Sequence, residues 1–549
     1  MQAGPQAHTF DLGLVMAGAI SAGAYTAGVM DFLIQALDSW QEQKSQPNAG
    51  GLRHEVTIRV ISGASAGAMT SALSAVSFNS RIEPVAEPDH PPAPEANRLY
   101  DAWVRQIDIA RLLTTSDIEE RGKVRSLLNA DPLQAIATEA LTTPQRESKR
   151  QYVSDPLALV LSIANLRGVP YGFDVHGDPA RGTYGMYEHM DHLWFASTWT
   201  GQALAGARTL LQAEAPGGEW PALLSAALAS GAFPIGLAPQ RLFRPRQDYL
   251  QRHAHPPLFP TGDARYEFLC VDGGLMNNEP FELARRYLAG GLESRNPRAG
   301  DEATRAVILI DPFPNDAPLA EPYEPGETMT AVALGIFRAL KNQARFKAEE
   351  LDLALRPDVY SRFMISPSRH DGAGRQVEPA IASGLLNGFG GFLHESFRRH
   401  DFQLGRRNCQ AFLKWHFCLP ENNRLFAGTD EATRKQLHVR ERDGTQATYE
   451  NASGSTVNFL PIIPLVGSAA AEVPEPPVPS AAVVDFDALE DMIAKRLRLV
   501  GNTLIRSELK QVVGVVGAVA LEKAWSWHYA GRMTAKMVAA IRDQVLHFK

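Results

Sequence analysis

The sequence predicts a doubly wound α/β protein with a mostly parallel sheet and a more helical C-terminal region. Three observations carry this. An apolar run at 10–16 passes through a small-residue loop into a helix-like stretch. A second run at 56–61 meets a glycine-rich turn and another helix-like stretch. Further apolar runs recur at 192–198, 266–272, 306–313 and, more weakly, 362–366. Strand and helix in alternation build a parallel sheet with helices on both faces.

Residues 10–16, FDLGLVM, read as a buried strand. After the loop, Tyr25, Val29, Phe32, Leu33, Ala36, Leu37 and Trp40 recur at helical spacing. The second strand covers 56–61, and its helix begins near Ala66. A proline-rich stretch follows, and 83–97 reads as a surface insertion. SLLNADPLQAIA (126–137) reads as a capped helix start, and ALASGAFPIGLAPQ (227–240) as a helix ending in a tight turn. Another proline-rich stretch, 314–327, ends the sheet-bearing part, 8–313. Beyond it, 314–470 reads as a mixed, largely helical extension packed on that part, and 471–482 as an extended linker. The remainder, 483–549, reads as a helical module. Asp487 to Glu490 resembles a capping box, and Phe486, Leu489, Ile493, Leu497, Val500 and Leu504 share one helical face.

Charge and composition narrow the function. Lys and Arg number 54 against 61 Asp and Glu, a net charge of −7, which argues against nucleic acid as the main ligand. Three cysteines, Cys270, Cys409 and Cys418, make no disulfide framework and fit a reducing, cytoplasmic setting. The first ten residues, MQAGPQAHTF, lack the basic start and apolar core of a secretory signal. The longest candidate for a membrane span, VVGVVGAVAL at 512–521, is ten residues and stops at Glu522. Any membrane contact is therefore expected from the surface.

The chemistry centres on VISGASAGAMT, 60–70. Gly63-Ala64-Ser65-Ala66-Gly67 is G-x-S-x-G between a strand and a helix, the pattern of a nucleophile elbow. Small residues at −2 and +2 let the strained turn pass close to its neighbours, and the helix start aims amide N–H groups at a reacting carbonyl. The bland alternative is an ordinary glycine-containing turn. A nucleophilic serine needs a base, yet no histidine among the 15 has a context that singles it out. A carboxylate does: Asp272 ends a buried strand and is followed by Gly273-Gly274, which allow a close backbone passage. Its bland alternative is a cap on the next turn.

With these motifs in order, the chain resembles the patatin-like phospholipases, serine lipid acyl hydrolases with a Ser–Asp dyad on a three-layer α/β/α sandwich. The resemblance covers about residues 10–313. The family's glycine-rich loop aligns with Gly18-Ala19-Ile20-Ser21-Ala22-Gly23, which lacks its second and third glycines and its basic residue. The resemblance implies Ser65 as nucleophile and Asp272 as base. The oxyanion hole would then draw on Gly18, Ala19, Ile20, Ser21 and Ala66, since any residue but proline carries the backbone donor. It also implies a phospholipid or related acyl-lipid substrate, an acyl-enzyme intermediate, and no metal or organic cofactor. Asp, with a reference pKa of about 3.9, is a weak base, so the dyad requires direct contact in a partly dry site. Two alternatives stand beside this reading: a Ser-His-Asp esterase, and a binding or scaffold protein whose altered loop no longer supports catalysis.

Other features point elsewhere without deciding. Gly13 to Gly18 has P-loop spacing but lacks the Lys-Ser/Thr that must follow. His189 and His192 lack the helix and glutamate of zinc hydrolases. Arg398, Arg399, Arg406 and Arg407 would suit lipid phosphates or structural ion pairs. Trp525, Trp527 and Tyr529 would suit a membrane interface or a helical bundle.

Overall fold

A computed structural model describes residues 8–46, 51–142, 149–173, 184–250, 258–259, 265–291, 294–314, 328, 332, 335–336, 339, 342–343, 345, 356, 358–371, 373–450 and 454–548. Among these, nine strands form one mixed sheet. They are β1 (Thr9–Met16), β2 (Glu55–Gly63), β3 (Val153–Phe173), β4 (Tyr184–Thr198), β5 (Arg208–Leu211), β6 (Gln240–Pro245), β7 (Arg265–Asp272), β8 (Arg305–Ile310) and β9 (Arg362–Ile365). The path runs β5-β4-β3-β2-β1-β8-β9, with β7 joined to β3 and β6 to β7. The expected parallel core is β3-β2-β1-β8-β9. The pairs β3–β4, β3–β7 and β6–β7 are antiparallel.

Helices cover both faces. α1 (Gly23–Ser45), α2 (Ala66–Ser77), α3 (Trp220–Ser230) and α5 (Glu395–Trp415) belong to the layer on one face, and α4 (Phe281–Ala289) packs on the other. All seven helix-spaced residues of α1 are buried. Residues 20–45 are long and apolar enough to cross a bilayer, but 94% of that apolar window is buried inside the fold. α5 lies along α1, and its Arg406 pairs with the buried Asp31 of α1. The region 314–470 thus supplies the edge strand β9 and the covering helix α5, as well as a separate three-stranded antiparallel sheet formed from 418–420, 448–450 and 456–461.

The insertion at 83–97 is anchored at two points. Val85 and Asn97 are buried, and both donate to the Asp31 carboxylate. The segment 471–482 is extended, and α5 grips it: Gln410 donates to Ala471 O and Arg407 to Val473 O. The tail contains α6 (Phe486–Leu504) and α7 (Ala530–His547), which lie side by side. α6 is capped by Asp485, whose carboxylate accepts from Ala488 N at 3.0 Å, and not by Asp487. The helix begins two residues earlier than the capping-box pattern implied. Arg496 fastens it, donating to the carbonyls of Thr114, Ser126 and Leu127 and pairing with the Asp117 carboxylate.

Candidate active site

β3 serves as the ruler for the site. β2 runs along one edge of it and ends with Gly63 beside Leu161. β7 then takes over that edge from the opposite direction and ends with Asp272 beside Ile163. The two strand ends therefore meet two residues apart, although Ser65 and Asp272 are 207 positions apart in sequence. Ser65 Oγ donates to Asp272 Oδ2 at 2.5 Å. Ser65 is 6% exposed and Asp272 5%.

Ser65 sits at φ 53°, ψ −128°, a backbone state closed to most L-residues. It precedes α2 in the place of an N-cap, yet its side chain makes no cap bond. A turn-capping serine would bond the helix amides, whereas this hydroxyl faces the carboxylate. The glycines permit the turn. A Cβ on Gly67 would lie 2.1 Å from Met16 O, and one on Gly63 2.5 Å from Gly67 O. Both oxygens of Asp272 are engaged. Its Oδ1 accepts from Gly274 N at 2.7 Å while Oδ2 meets the serine. A Cβ on Gly273 would lie 2.0 Å from Ser162 O, so β7 can end against β3 only with glycine there. A Cβ on Gly274 would lie 2.6 Å from Asn278 Oδ1 and 3.0 Å from Asp272 Oδ1.

The pocket over the dyad is lined by Gly18, Ala19 and Ile20 from the first loop, Phe233 and Pro234 after α3, and Asn278. The members of the first loop differ in what they offer. The Gly18 amide donates to Asn278 O at 3.1 Å, so the part played by Gly18 is to bring the loop close. A Cβ there would lie 2.4 Å from Asn278 Oδ1. Ala19 and Ile20 line the cavity, Ile20 at φ 49°. The Ser21 hydroxyl turns away, donating to Gly388 O at 2.5 Å and accepting from Gly391 N at 3.0 Å. Ala66 opens α2, where helix amides lack a partner four residues back.

The residues engaged by Ser21 belong to a segment, 382–393, that closes over the first loop. Leu386 and Asn387 are in left-handed conformations, and Phe389 meets Phe233 edge to face at 5.6 Å. Asp401 holds the segment by accepting from Ala382 N and Ser383 N. Gln544 of α7 holds it by accepting from Leu386 N at 2.7 Å. The cavity over the dyad measures about 20 Å³, room for a water molecule.

Among the described residues no histidine lines this cavity, and no group of three or more His, Cys, Asp or Glu is arranged to hold a metal ion. His189 and His192 fall three apart on β4, a spacing that points side chains to opposite faces of a strand. His189 Nδ1 bonds Asn165 O at 2.8 Å. The four arginines of α5 are engaged within the protein. Arg398 donates to Val104 O and Gly391 O, Arg399 pairs with Glu395, Arg406 with Asp31, and Arg407 donates to Val473 O. Trp525 donates to Leu497 O, while Trp527 is 90% exposed. Two residues at the site were not singled out from the sequence. Asn278 sits in the stretch after Gly274 and lines the cavity. Ser230 ends α3, and its hydroxyl accepts from Ser65 N at 2.8 Å.

Comparison with known proteins agrees with this architecture. A family model described as patatin-like phospholipase matches residues 14–285. The uncharacterized protein y4iI of Sinorhizobium fredii is 37% identical over 553 residues, covering 91% of this chain and 77% of its own length. The crystal structure of VipD from Legionella pneumophila aligns over 100% of this chain and 93% of its own, at 11% identity and a TM-score of 0.24, too low to equate the two architectures.

Proposed function

This chain belongs to the patatin-like phospholipases, and we propose that it cleaves carboxylic ester bonds of phospholipids or related acyl lipids with Ser65 as nucleophile and Asp272 as base. The observation that carries this is the 2.5 Å contact between Ser65 Oγ and Asp272 Oδ2 in a buried site. Asp272 takes the hydroxyl proton as Oγ attacks the ester carbonyl. The amides of Ala19, Ile20 and Ala66 receive the oxyanion. The tetrahedral intermediate collapses, the leaving alkoxide takes the proton back from Asp272, and an acyl-serine remains. Water, deprotonated by the same carboxylate, then releases the fatty acid. The absence of histidine from the cavity lining among the described residues favours the aspartate-only base over a Ser-His-Asp triad.

Contact with a membrane surface belongs to the same proposal. Val516, Trp527 and Tyr529 stand out from the tail. Residues 486–549 carry ten Lys and Arg against six Asp and Glu, in a chain of net charge −7. An apolar, basic surface suits anionic bilayers. The three thiols, all free and buried, fit a cytoplasmic setting. The test is incubation of wild type and Ser65→Ala with vesicles of mixed phospholipids, following both released fatty acid and cosedimentation. Wild type is expected to release fatty acid, and Ser65→Ala to bind vesicles without releasing it. Equal release by both proteins would refute the assignment.

A further inference from the structure

Four hydroxyls of α2 and α3 behave alike. Thr70 donates to Ala66 O, Ser71 to Gly67 O, Ser74 to Thr70 O and Ser225 to Pro221 O, each to a carbonyl four residues back. Ser230 does not fold back onto α3. Its Oγ crosses to β3 and donates to Ser162 O at 2.5 Å, and it accepts from Ser65 N at 2.8 Å. It is wholly buried and does not line the cavity.

We propose that Ser230 is the positioning residue of the nucleophile elbow, holding Ser65 in the backbone state that aims its hydroxyl at Asp272. The proposal rests on the reading of Ser65 as nucleophile. A serine hydroxyl has one hydrogen to give. Ser162 O can only accept, so it fixes that hydrogen and leaves a lone pair of Ser230 facing the Ser65 amide. Ser65 is then gripped at two atoms, its N–H by Ser230 and its Oγ by Asp272. Together these set its φ and χ1. A non-glycine residue at φ 53°, ψ −128° persists only where its surroundings hold it.

The anchor lies on the strand that registers both halves of the dyad. Ser162 falls between Leu161, beside Gly63, and Ile163, beside Asp272. Gly273 also passes directly over Ser162 O. One carbonyl therefore sets the position of the elbow through Ser230 and of the carboxylate through Gly273. Because the Ser65 amide is engaged, oxyanion binding falls to Ala19, Ile20 and Ala66.

The experiment compares full-length wild type, Ser230→Ala, Ser230→Cys and Ser230→Thr on a soluble p-nitrophenyl ester, with active sites titrated by a fluorophosphonate. Misplacing a nucleophile by about 1 Å costs up to about a hundredfold in rate. The kcat per titrated site is accordingly expected to fall about tenfold to a hundredfold in Ser230→Ala, with KM within about twofold of wild type, and Ser230→Thr to recover most of it. A purely structural role would lower the fraction of titratable sites and leave kcat per site unchanged; that result overturns the proposal. Should the alanine variant fail to fold, Ser230→Cys, which keeps the volume but weakens the hydrogen bonds, carries the same comparison. A crystal structure of the variant supplies a readout independent of turnover. Ser65 is expected to leave positive φ or to part from Asp272, and an unchanged elbow overturns the proposal. If wild type neither turns over esters nor is labelled at Ser65, the proposed function fails, while the crystal comparison still decides the role of Ser230.

Discussion

Replacing Asp272 by asparagine tests the dyad with little change in shape. The two carboxylate oxygens have separate tasks: Oδ1 accepts from Gly274 N at 2.7 Å and Oδ2 accepts from Ser65 Oγ at 2.5 Å. The Gly274 amide is a fixed donor, so an asparagine must turn its oxygen there. Its NH2 group is then forced toward Ser65, where it donates instead of accepting. The variant keeps the turn bond and loses the base. General-base catalysis contributes about 10²- to 10⁴-fold, so the barrier should rise by about 3–5 kcal/mol. The lost Ser65 hydrogen bond should change stability by only about 1 kcal/mol. The assay is kcat/KM on a soluble p-nitrophenyl ester, with a thermal melt as the control on folding. A folded Asp272→Asn protein that keeps more than a tenth of wild-type kcat/KM would refute the dyad, because no orientation of that amide offers Ser65 a base of comparable strength.

Three further outcomes follow from contacts around the site. Gly67→Ala drives a methyl to 2.1 Å from Met16 O, backbone against backbone, and should cost about 3 kcal/mol or more; a urea melt matching wild type would contradict it. Arg496→Ala leaves the Asp117 carboxylate without its guanidinium in a buried setting, a loss of about 3–5 kcal/mol. Hydrogen exchange should quicken across 486–504 while the sheet stays protected, and unchanged protection there would count against the role of Arg496 as the tail's fastener. Glu279 is pushed up to about 7, chiefly by burial, with Arg345 opposing and Oε2 lacking a hydrogen-bond partner among the described residues. The folded state then holds this proton more tightly than the unfolded chain, so stability should decline as pH rises from about 4.5 to about 7, by about 3 kcal/mol, and level off above. Glu279→Gln should remove that slope, and parallel pH profiles for the two proteins would reject the shift.

How far the sequence foretold this molecule depended on how local each cause was. β1, β2, β7 and β8 are short apolar runs whose burial can be read residue by residue. β3 was not foreseen, although at 21 residues it is the longest strand and the one that registers the site. Pro156 near its start and Arg167-Gly168-Val169-Pro170 inside it read as breakers, and the structure absorbs the second group in a register shift between Ala164 and Val169. β6 was hidden for another reason. Arg244 occupies an inward position, which a buried ion pair with Asp191 makes tolerable, so the alternation reads as exposed. At the site, Ser65 and Asp272 were legible because glycines flank them in sequence. Ser230 was not, because its partners, Ser65 and Ser162, lie 165 and 68 positions away and its own neighbours announce only a helix end.

The 20 Å³ cavity links the distant parts of the chain to the chemistry. An ester with even a short acyl group exceeds the volume of one water, so most of a substrate must lie outside the space directly over the dyad. On the sheet side, Gly63 and Gly273 are packed too closely against neighbouring backbone to admit even a methyl group. The segment 382–393 packs on the first loop, whose Gly18, Ala19 and Ile20 line the cavity. It touches the first loop through Ser21 and the Phe233–Phe389 ring contact, and its outer side is held by Gln544 and by the apolar cluster it shares with Leu489, Ile493, Val538 and Val545 of the tail. Movement of that segment must loosen contacts with α6 and α7. The tail that presents Trp527 and Val516 to solvent therefore braces the segment that packs on the first loop of the site.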